Sequence, residues 1–238
     1  MTDDQIVNAS AVVRYAHPDL TPTQAARRRR ILAAALAALD RTEYENIQMR
    51  AVAHAADVAL GTVYRYFPSK EFLYASAVLE WAVSAPEMAP VRAASDRPTP
   101  EERVRARLHA IIAAFALRPW HYKVHVLLRT GADPQAGALI AATERDTRMI
   151  LARDLAVLGA AAAQDTALML WAVVDAALRE AIIRGGRIAE AYRVVDRFVD
   201  LLATPLRWSA SDPPVAAGGV GEPGAGGRLS AGRGGGAP

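Results

Sequence analysis

The sequence predicts an all-α protein, with an N-terminal three-helix helix-turn-helix domain followed by a C-terminal helical domain. Alanine-rich segments place apolar side chains three and four residues apart along most of the 238-residue chain, which is the spacing of an α-helix. Hydrophobic residues make up 52% of the composition, which is enough to bury a core. Prolines and glycines interrupt the periodic segments, so short turns are expected between the helices.

The composition narrows the classes of protein that fit the sequence. The chain has no cysteine, which excludes disulfides and thiolate metal sites. No run of about 20 apolar residues lacks a charge, and no basic segment followed by an apolar one opens the chain as a leader. We therefore expect a cytoplasmic protein. The net charge of +3 is too small to indicate nucleic-acid binding by itself.

The first predicted helix combines a run of arginines with an apolar stripe. The stripe consists of Ile31, Leu32, Ala35, Leu36 and Leu39. Residues 21–70 contain eight basic and four acidic side chains, a local excess of four positive charges. Four consecutive arginines, Arg27 to Arg30, open this helix. We expect them to lie along a DNA backbone, with Arg27 and Arg28 as the contacts.

The segment from Met49 to Lys70 predicts a helix-turn-helix motif. Two short helical patterns are separated by a turn, and the second runs from about Leu60 to Tyr66. Pro68 ends this pattern, and Ser69 is a good N-cap for a further helix that extends toward Ser84. A motif of this kind offers its second helix to a groove of DNA.

Three aromatic side chains close the second helix of the motif. Tyr64 and Tyr66 project about 200° apart on a helix, so they cannot both read bases from one face. We expect one or both tyrosines to turn toward the sugar-phosphate walls, while Phe67 completes the core. Lys70 and the free amides of the next helix predict a cationic pocket for a phosphate.

A proline-rich break at residues 86–100 separates the two predicted domains. Thr99 and Glu102 form a capping-box pattern, so a helix is expected to begin at about residue 100. Prolines and glycines set the later boundaries. The further expected helices are 119–131, 134–159, 164–184 and 188–203.

The segment from Arg27 to Trp81 resembles the DNA-binding domain of TetR-family bacterial repressors. The family typically shows a G-T-x-Y-x-Y/H-F motif and then a lysine. The matching residues are Gly61, Thr62, Tyr64, Tyr66, Phe67 and Lys70. The usual glycine of the turn is Asp57 here, and aspartate tolerates the left-handed conformation that such a turn often demands.

The resemblance implies a set of contacts with operator DNA. Positions that hold phosphates in the family match Thr62, Tyr64 and Lys70. Positions that meet bases match Leu60, Gly61 and Arg65, and some members also use the position of Arg50. The full set of candidate DNA-binding residues is Arg27, Arg28, Gln48, Arg50, Leu60, Gly61, Thr62, Tyr64, Arg65, Tyr66 and Lys70.

Within the family, the segment from Gln48 to Lys70 looks most like the actinobacterial repressors of cholesterol and steroid catabolism. Those repressors respond to coenzyme A thioesters of steroid acids, which implies a long apolar pocket with basic residues at its mouth. Arginines in the second domain that could supply them are Arg118, Arg129, Arg148 and Arg153. The similarity is concentrated in the DNA-binding part of the chain.

The resemblance also implies how the whole chain works. We expect a repressor that binds a palindromic operator as a homodimer and is released by a small hydrophobic effector such as a steroid or an acyl-CoA thioester. No cofactor is expected. The expected regions are 1–20, a flexible arm; 21–84, the DNA-binding domain; 85–207, the ligand-binding and dimerisation domain; and 208–238, a disordered tail rich in glycine and proline.

The second domain offers candidates for an effector pocket and for a dimer interface. Bulky or adaptable side chains suit an apolar pocket, although at helical spacing such residues more often belong to a packed core. They are Phe115, Trp120, Tyr122, Met149, Met169 and Trp171. The last two helices carry wide apolar stripes with small residues, which favours a four-helix dimer interface. The candidate interface residues are Ala172, Ala176, Val195, Phe198 and Leu202.

Two alternative interpretations come from other classes of protein. His121 and His125 stand four residues apart on one face of a predicted helix and could hold a divalent metal in a metal-responsive repressor. A third ligand, such as Asp133 or His109, would have to come from elsewhere. A helical interaction protein that does not bind DNA is the other alternative. Glycine-rich phosphate loops and a serine nucleophile elbow are missing, so the sequence does not predict an enzyme.

Overall fold

The computed structural model describes residues 20–211 and shows helices and turns, with no strand in that range, so the all-α prediction is confirmed. The first four helices are α1 (Pro22–Leu39), α2 (Met49–Ala55), α3 (Leu60–Tyr66) and α4 (Lys70–Ser84). The next three are α5 (Ala89–Ala93), α6 (Pro100–Leu117) and α7 (Pro119–Arg129). The last three are α8 (Pro134–Asp154), α9 (Ala160–Leu178) and α10 (Ile188–Ser211).

The start of α1 and the turn before α3 follow from local chemistry. Thr21 caps α1 through a capping box, in which its hydroxyl accepts from the Gln24 amide at 3.3 Å. The turn between α2 and α3 places Asp57 at φ 52°, the left-handed conformation that the sequence predicted this residue would tolerate. The Arg30 guanidinium donates to the Asp57 carbonyl at 3.2 Å, so α1 holds the turn in place.

α4 belongs to two hydrophobic cores. Leu73 and Tyr74, near its start, are fully buried in a core that they share with α1, α2 and α3. Trp81, near its end, is buried in the core of α6, α9 and α10. The first core also contains Leu128 of α7 and Leu139 of α8. The two halves of the protein are therefore joined by close packing along α4.

Several boundaries in the second half differ from the prediction. The break at 86–100 contains 3₁₀ turns and the short helix α5. The Thr99 capping box is confirmed, and α6 begins at Pro100. α8 ends at Asp154, and a 3₁₀ turn and Gly159, at φ 84°, separate it from α9, which begins earlier than residue 164. A π-helical turn, Arg179–Ile183, ends α9.

The predicted end of the last helix at residue 203 was wrong, because α10 continues to Ser211. Pro205 lacks an amide hydrogen, so it removes one backbone hydrogen bond but does not end the helix here. The predicted arm, apart from Leu20, and the predicted tail from residue 212 onward lie outside the described residues. Within residues 20–211, no helix combines the length and the apolar character needed to cross a bilayer.

Candidate nucleic-acid interface and effector cavity

α3 presents one exposed face. Tyr64 is 46% exposed, Gly61 and Arg65 are also exposed, and Leu60 and Thr62 are half-buried. Val63 on the opposite face is completely buried and anchors the short helix to the domain. At the start of α2, Gln48 and Arg50 are exposed as well. The predicted base-reading and phosphate-binding positions of α3 therefore lie on an accessible surface.

Gly61 has no packing role within the chain. A Cβ atom placed on this residue would meet nothing within 4 Å, and its backbone is not in the left-handed region. Neither space nor backbone conformation in the chain requires glycine here, although glycine weakens a helix relative to alanine. A glycine at an exposed helix position is suited to a close approach by another molecule.

The structure corrects the predicted DNA contact of Tyr66. This residue is only 6% exposed, and its hydroxyl lies inside the domain without a hydrogen-bond partner. Phe67 is completely buried, as predicted, and the two rings lie 6.4 Å apart. The side chain of Tyr66 therefore contributes to the core beneath α3 and not to the exposed face.

The predicted cationic pocket at Lys70 also needs correction. The Lys70 ammonium donates to the Tyr44 carbonyl at 2.6 Å and to the Glu45 carbonyl at 3.4 Å. It also lies 4.3 Å from the centre of the Tyr44 ring. Burial lowers the pKa of Lys70. The lysine thus fastens the 3₁₀ turn Tyr44–Asn46 to the start of α4, which makes it a positioning residue.

The arginine run on α1 divides into different roles. The Arg28 guanidinium lies 5.3 Å from the centre of the Phe67 ring, and burial lowers its pKa. Arg28 is therefore held against the core and is a weaker candidate for DNA than the sequence predicted. Arg30 binds the turn at Asp57. Arg27 is half-buried and Arg29 is exposed.

A small cavity lies in the second half of the protein, between α4, α5, α6, α7, α8 and α9. Its volume is about 80 Å³. Three aromatic side chains contribute to its wall: Trp81, Phe115 and Trp171. Its polar lining consists of Arg107, His125, Thr143, Glu144, Asp146 and Thr147. The cavity is far smaller than the roughly 300 Å³ at which pockets for drug-sized molecules begin.

Arg107, His125 and Glu144 of the cavity wall are each bound to other protein groups. Arg107 is almost fully buried, and its Nε donates to Asp154 at 2.8 Å while Nη1 donates to the Val91 carbonyl. The His125 Nε2 lies 3.0 Å from the Glu144 Oε1, to which the Arg129 Nη1 also donates at 3.2 Å. Burial raises the pKa of Glu144, but His125 and Arg129 outweigh burial, so the net shift is downward.

Comparison with known proteins identifies the first half of the chain. Residues 31–77 match the family model for bacterial regulatory proteins of the tetR family. This segment is therefore similar to the DNA-binding domains of that family. Over 55 residues it is 60% identical to the HTH-type transcriptional repressor KstR of Mycolicibacterium smegmatis, and 58% identical to the KstR of Mycobacterium tuberculosis. Both relatives are named as repressors, as the sequence analysis expects for this chain.

The TetR similarity at the level of sequence is confined to this domain. The match covers 23% of this chain and 27% of the M. smegmatis repressor, so the chain spans about a quarter of that relative's length. The rest of the TetR fold is supported by solved structures. A TetR regulator from Rhodococcus sp. RHA1 superposes with a TM-score of 0.63, at 23% identity over 77% of this chain and 99% of that chain.

A second solved TetR-type fold is the regulator FadR from Bacillus subtilis, in complex with stearoyl-CoA. It superposes with a TM-score of 0.58, at 17% identity over 72% of this chain and 97% of that one. At such identities the likeness establishes the fold.

Two of the six predicted effector-binding residues line the cavity, namely Phe115 and Trp171. Trp120 is half-buried under the Lys123 ammonium, which lies 4.1 Å from the ring centre. The buried Tyr122 donates its hydroxyl hydrogen to Asp175 at 2.8 Å. Neither residue lines the cavity, so the prediction that Trp120 and Tyr122 contact the effector is corrected.

The two methionines predicted for the pocket lie on the surface. Met149 is 41% exposed and lines a separate groove on another side of α8, together with Arg148. Met169 is 48% exposed on α9. The sequence missed Trp81, Glu144 and Asp146 as cavity residues. The one available signal was the spacing of Glu144 and Asp146. Two acidic residues that are two positions apart in an amphipathic helix cannot both face solvent directly, so one of them is directed inward or sideways.

The arginines expected at the mouth of a pocket are not gathered there. Arg118 donates to Glu87 at 2.8 Å and to Asp40 at 2.7 Å, at the contact between the two halves. Arg129 is bound to Glu144 and Asp175, behind the cavity. Arg148 and Arg153 line the separate groove of Met149.

The histidines do not form the predicted alternative metal site. His121 is 2% exposed, and neither ring nitrogen has a hydrogen-bond partner. Its ring lies 4.7 Å from that of Trp81, and burial lowers its pKa to about 4. His109 binds Asp196 instead, and Asp133 caps α8. Within residues 20–211, no group of three metal-ligating side chains is assembled.

The predicted dimer residues fall into three groups. Ala172 and Ala176 are exposed on α9. Phe198 and Leu202 are half-buried on α10. Val195 is 1% exposed and packs in the core of its own subunit, which corrects its assignment to an interface. Large exposed apolar side chains on the same two helices are Leu168, Met169, Val194 and Leu201.

Proposed function

We propose that the chain is a transcriptional repressor that binds a palindromic operator as a homodimer and is released by a small hydrophobic effector. The observation that carries this proposal is the exposed face of α3. Gly61, Tyr64 and Arg65 are exposed there, within a segment that is 60% identical to a named repressor over 55 residues. An accessible helix of this kind fits the major groove of DNA.

The structure supports a division of labour among the proposed DNA contacts. Arg65 and Gly61 face outward on α3, where they are suited to base edges and to close backbone approach. Tyr64 and Thr62 are suited to phosphates and sugars. The further proposed contacts are Arg27, Gln48, Arg50 and Leu60. Lys70 acts by holding the start of α4 and the preceding 3₁₀ turn together.

The proposed dimer interface is the exposed apolar face of α9 and α10. Leu168 is 55% exposed and Leu201 is 63% exposed. Burial of such large apolar side chains in an interface is favourable. Ala172 and Ala176 on the same helix face allow close approach of a partner helix. Two copies of the α9–α10 pair then form a four-helix bundle with twofold symmetry, which matches a palindromic operator.

The cavity supports release by an effector because α4 forms part of its wall. Val78, Trp81 and Val83 of α4 line the cavity, and the same helix begins directly after α3. Since the cavity measures about 80 Å³, a drug-sized effector must separate α4 from α8 in order to enter. An effector that binds the expanded arrangement better than the contracted one shifts the population toward it.

A hydrogen bond at the base of α4 offers a path for this coupling. The Ser69 hydroxyl accepts from the Phe72 amide at 2.9 Å and donates to the Asp133 carboxylate. Asp133 in turn accepts from the Gln135 amide at 2.8 Å and caps α8. Movement of α8 at the cavity is thereby transmitted to the residue that precedes α4.

Selection of duplex DNA from a random pool, followed by a binding isotherm at several salt concentrations, tests the DNA-binding proposal. The double substitution Tyr64→Ala with Arg65→Ala should weaken binding by about 100-fold, because two contacts of 1–3 kcal/mol each are removed. Arg187→Ala, which removes an exposed charge far from α3, is the matched control. A failure to select any sequence, or equal affinities of the two variants, would refute the proposal.

Sedimentation or light scattering tests the dimer interface. Leu168→Glu with Leu201→Glu should yield a folded monomer, because two charges would have to be buried in the interface. Leu117→Glu is the control, since Leu117 is 65% exposed but lies on α6. A double variant that remains dimeric places the interface elsewhere.

A further inference from the structure

The polar groups around the cavity differ in whether they have a partner. Charged side chains of the wall interact with other protein groups, whereas an uncharged donor beside the aromatic rings does not. The difference is informative because a buried polar group costs free energy unless it finds a hydrogen-bond partner. A ligand that enters the cavity is therefore favoured if it satisfies the uncharged donor and brings no charge of its own.

The basic groups of the wall are committed to the protein. Arg107 donates from Nε and Nη2 to Asp154, at 2.8 and 3.4 Å, and from Nη1 to the Val91 carbonyl. The His125 Nε2 lies 3.0 Å from the Glu144 Oε1. Both basic side chains are more than nine-tenths buried, so they cannot turn toward a ligand without breaking these contacts. An anion in the cavity would therefore lack a free cation beside it.

The acidic groups of the wall are committed as well. Glu144 accepts from the Arg129 Nη1 at 3.2 Å, in addition to its contact with His125. Asp146 also interacts with another group of the protein. A cation in the cavity would have to compete with these partners, and its burial costs free energy unless a counter-charge is available. The wall thus favours an uncharged ligand over an ion of either sign.

One uncharged donor of the wall has no partner. The Nε1 atom of Trp81 is buried and makes no hydrogen bond to any of the described residues. Trp81 is only 3% exposed, and its ring centre lies 5.3 Å from that of Phe115, so the indole is held in the packed interior. A tryptophan side chain has one N–H group and no acceptor. An acceptor that reaches this atom removes the cost of leaving a buried donor unsatisfied.

The polar ring next to Trp81 does not supply that acceptor. The ring centres of Trp81 and His121 lie 4.7 Å apart, with the planes at 68°. Burial lowers the pKa of His121 to about 4, so one of its nitrogens can accept a hydrogen bond at neutral pH. Neither nitrogen has a partner among the described residues, however. The acceptor for the indole is therefore left for a ligand to provide.

We propose that the cavity binds an uncharged carbonyl compound, a ketone or an ester on an apolar body, and that Trp81 recognises the carbonyl oxygen. The oxygen accepts the Nε1 hydrogen of Trp81, and the apolar body lies against the rings of Phe115 and Trp171. A carbonyl group suits this wall because it accepts a hydrogen bond without bringing a hydrogen that needs another acceptor. The proposal rests on the assignment of this cavity to an effector and names the chemical class of that effector.

The proposed hydrogen bond also connects the ligand to the helix that must move. Trp81 belongs to α4, which begins directly after α3 and forms one side of the cavity. Because the cavity measures about 80 Å³, a larger ligand separates α4 from α8 as it enters. A carbonyl bound to Trp81 then stabilises the arrangement in which α4 is displaced.

Four probes that share one benzene ring test the proposed class: acetophenone, α-methylstyrene, benzoate and benzylamine. α-Methylstyrene has the shape of acetophenone but carries a methylene group in place of the carbonyl oxygen. Calorimetric titration of the full chain at neutral pH, without DNA, should show acetophenone binding about fivefold more tightly than α-methylstyrene, as expected for one hydrogen bond. Benzoate and benzylamine should bind more weakly than acetophenone. A chain that does not bind acetophenone, or that binds any other probe as tightly, overturns the proposal.

A matched pair of variants tests the role of Trp81. Trp81→Phe keeps an aromatic ring in the wall but removes the N–H group, so acetophenone and α-methylstyrene should bind this variant equally well. Trp120→Phe makes the same substitution outside the cavity and should keep the fivefold preference. A preference for acetophenone that survives in folded Trp81→Phe refutes recognition by this residue.

Nuclear magnetic resonance of the unaltered chain provides a second measurement if Trp81→Phe does not fold. The chain has four tryptophans, each with one indole N–H proton. Acetophenone should move one of these proton signals downfield, because a hydrogen bond deshields the N–H proton. α-Methylstyrene, which has a similar ring but no acceptor oxygen, should not. A spectrum in which acetophenone binds and no indole signal moves downfield contradicts the proposed hydrogen bond.

The DNA experiment is separate from these titrations. A chain that prefers acetophenone but selects no DNA sequence refutes the repressor and leaves the cavity assignment intact. A chain that selects DNA but prefers benzoate or benzylamine refutes the carbonyl compound and leaves the repressor intact.

Discussion

The exposed face of α3 and the cavity of the second half are built in opposite ways. The proposed DNA contacts of α3 are neighbours in the chain, within residues 60–65, and they are exposed or half-buried. The cavity residues come from six helices and a 3₁₀ turn between residues 78 and 171, and most are buried. We infer that substitutions on the exposed face of α3 weaken binding without lowering stability, whereas substitutions near the cavity also lower stability.

α4 is the element in which these two kinds of site meet. Its first residues follow α3 and pack with α1, and its last residues line the cavity and contact His121. A helix shared by two cores cannot move in one without disturbing the other, because packed interiors are dense. Substitutions in the second half, on α3 and at the junction between the two test whether the sites differ in this way.

The largest effect is expected at His121, which is buried beside Trp81. Burial lowers its pKa to about 4, from the ordinary histidine value of 6.5. Between these values the unfolded chain binds a proton that the folded protein does not, so stability falls as the pH falls. Between pH 6.5 and pH 5 this amounts to about 2 kcal/mol, measured by urea unfolding.

His121→Phe should remove this part of the pH dependence, because phenylalanine retains the ring but cannot be protonated. His54→Phe on the exposed surface of α2 is the control and should keep the wild-type slope. If His121→Phe and the wild type lose equal stability between the two pH values, the histidine is not buried in its neutral form.

The next effect is expected at Gly61, and it should appear in binding. Gly61→Ala fits the fold, since its Cβ meets nothing within 4 Å. The substitution should raise the free energy of unfolding by about 0.5–1 kcal/mol through helix propensity. Operator affinity should fall by about tenfold, because the methyl group occupies space that the DNA backbone needs.

Gly61→Ala is decisive because the free energy of unfolding should rise while the affinity for the operator should fall. A gel-shift titration and a thermal melt of the same preparation are sufficient. Unchanged affinity in a stabilised protein would show that α3 does not approach DNA closely at this position.

The smallest effect is expected at the junction. Ser69→Ala removes the acceptor for the Phe72 amide and the donor to Asp133, so stability should fall by about 1 kcal/mol. Ser69→Thr keeps the hydroxyl and should retain most of this stability. The alanine variant should also need more effector to release DNA, which a release titration measures. If the two variants behave alike, the link between α4 and α8 has no role in coupling.

The local features of the fold could be predicted because they depend on neighbouring residues. Thr99 and Ser69 were identified as caps from the residues around them, and both cap helices in the structure. Asp57 was assigned the left-handed turn, which the structure confirms at φ 52°. In each case the feature depends on groups within three residues of the one that was predicted.

Features that depend on distant residues were predicted less well. Tyr66 and Tyr64 have similar side chains, and spacing showed only that they point apart. The position of the domain core decided which one is buried. Lys70 was expected to face a phosphate, but carbonyls 25 and 26 residues earlier in the chain take its ammonium. The stripes on α9 and α10 likewise did not reveal that Val195 packs within its own subunit.

The sequence by itself determined the helical class, the helix-turn-helix with its family resemblance, and most helix starts, because these depend on periodicity and on caps that operate within a turn or two. Tertiary structure alone decided which aromatic residues are exposed, where the cavity lies and which charges are already paired. Those properties depend on contacts between helices far apart in the chain, and one helix has more than one apolar or charged face that could be covered.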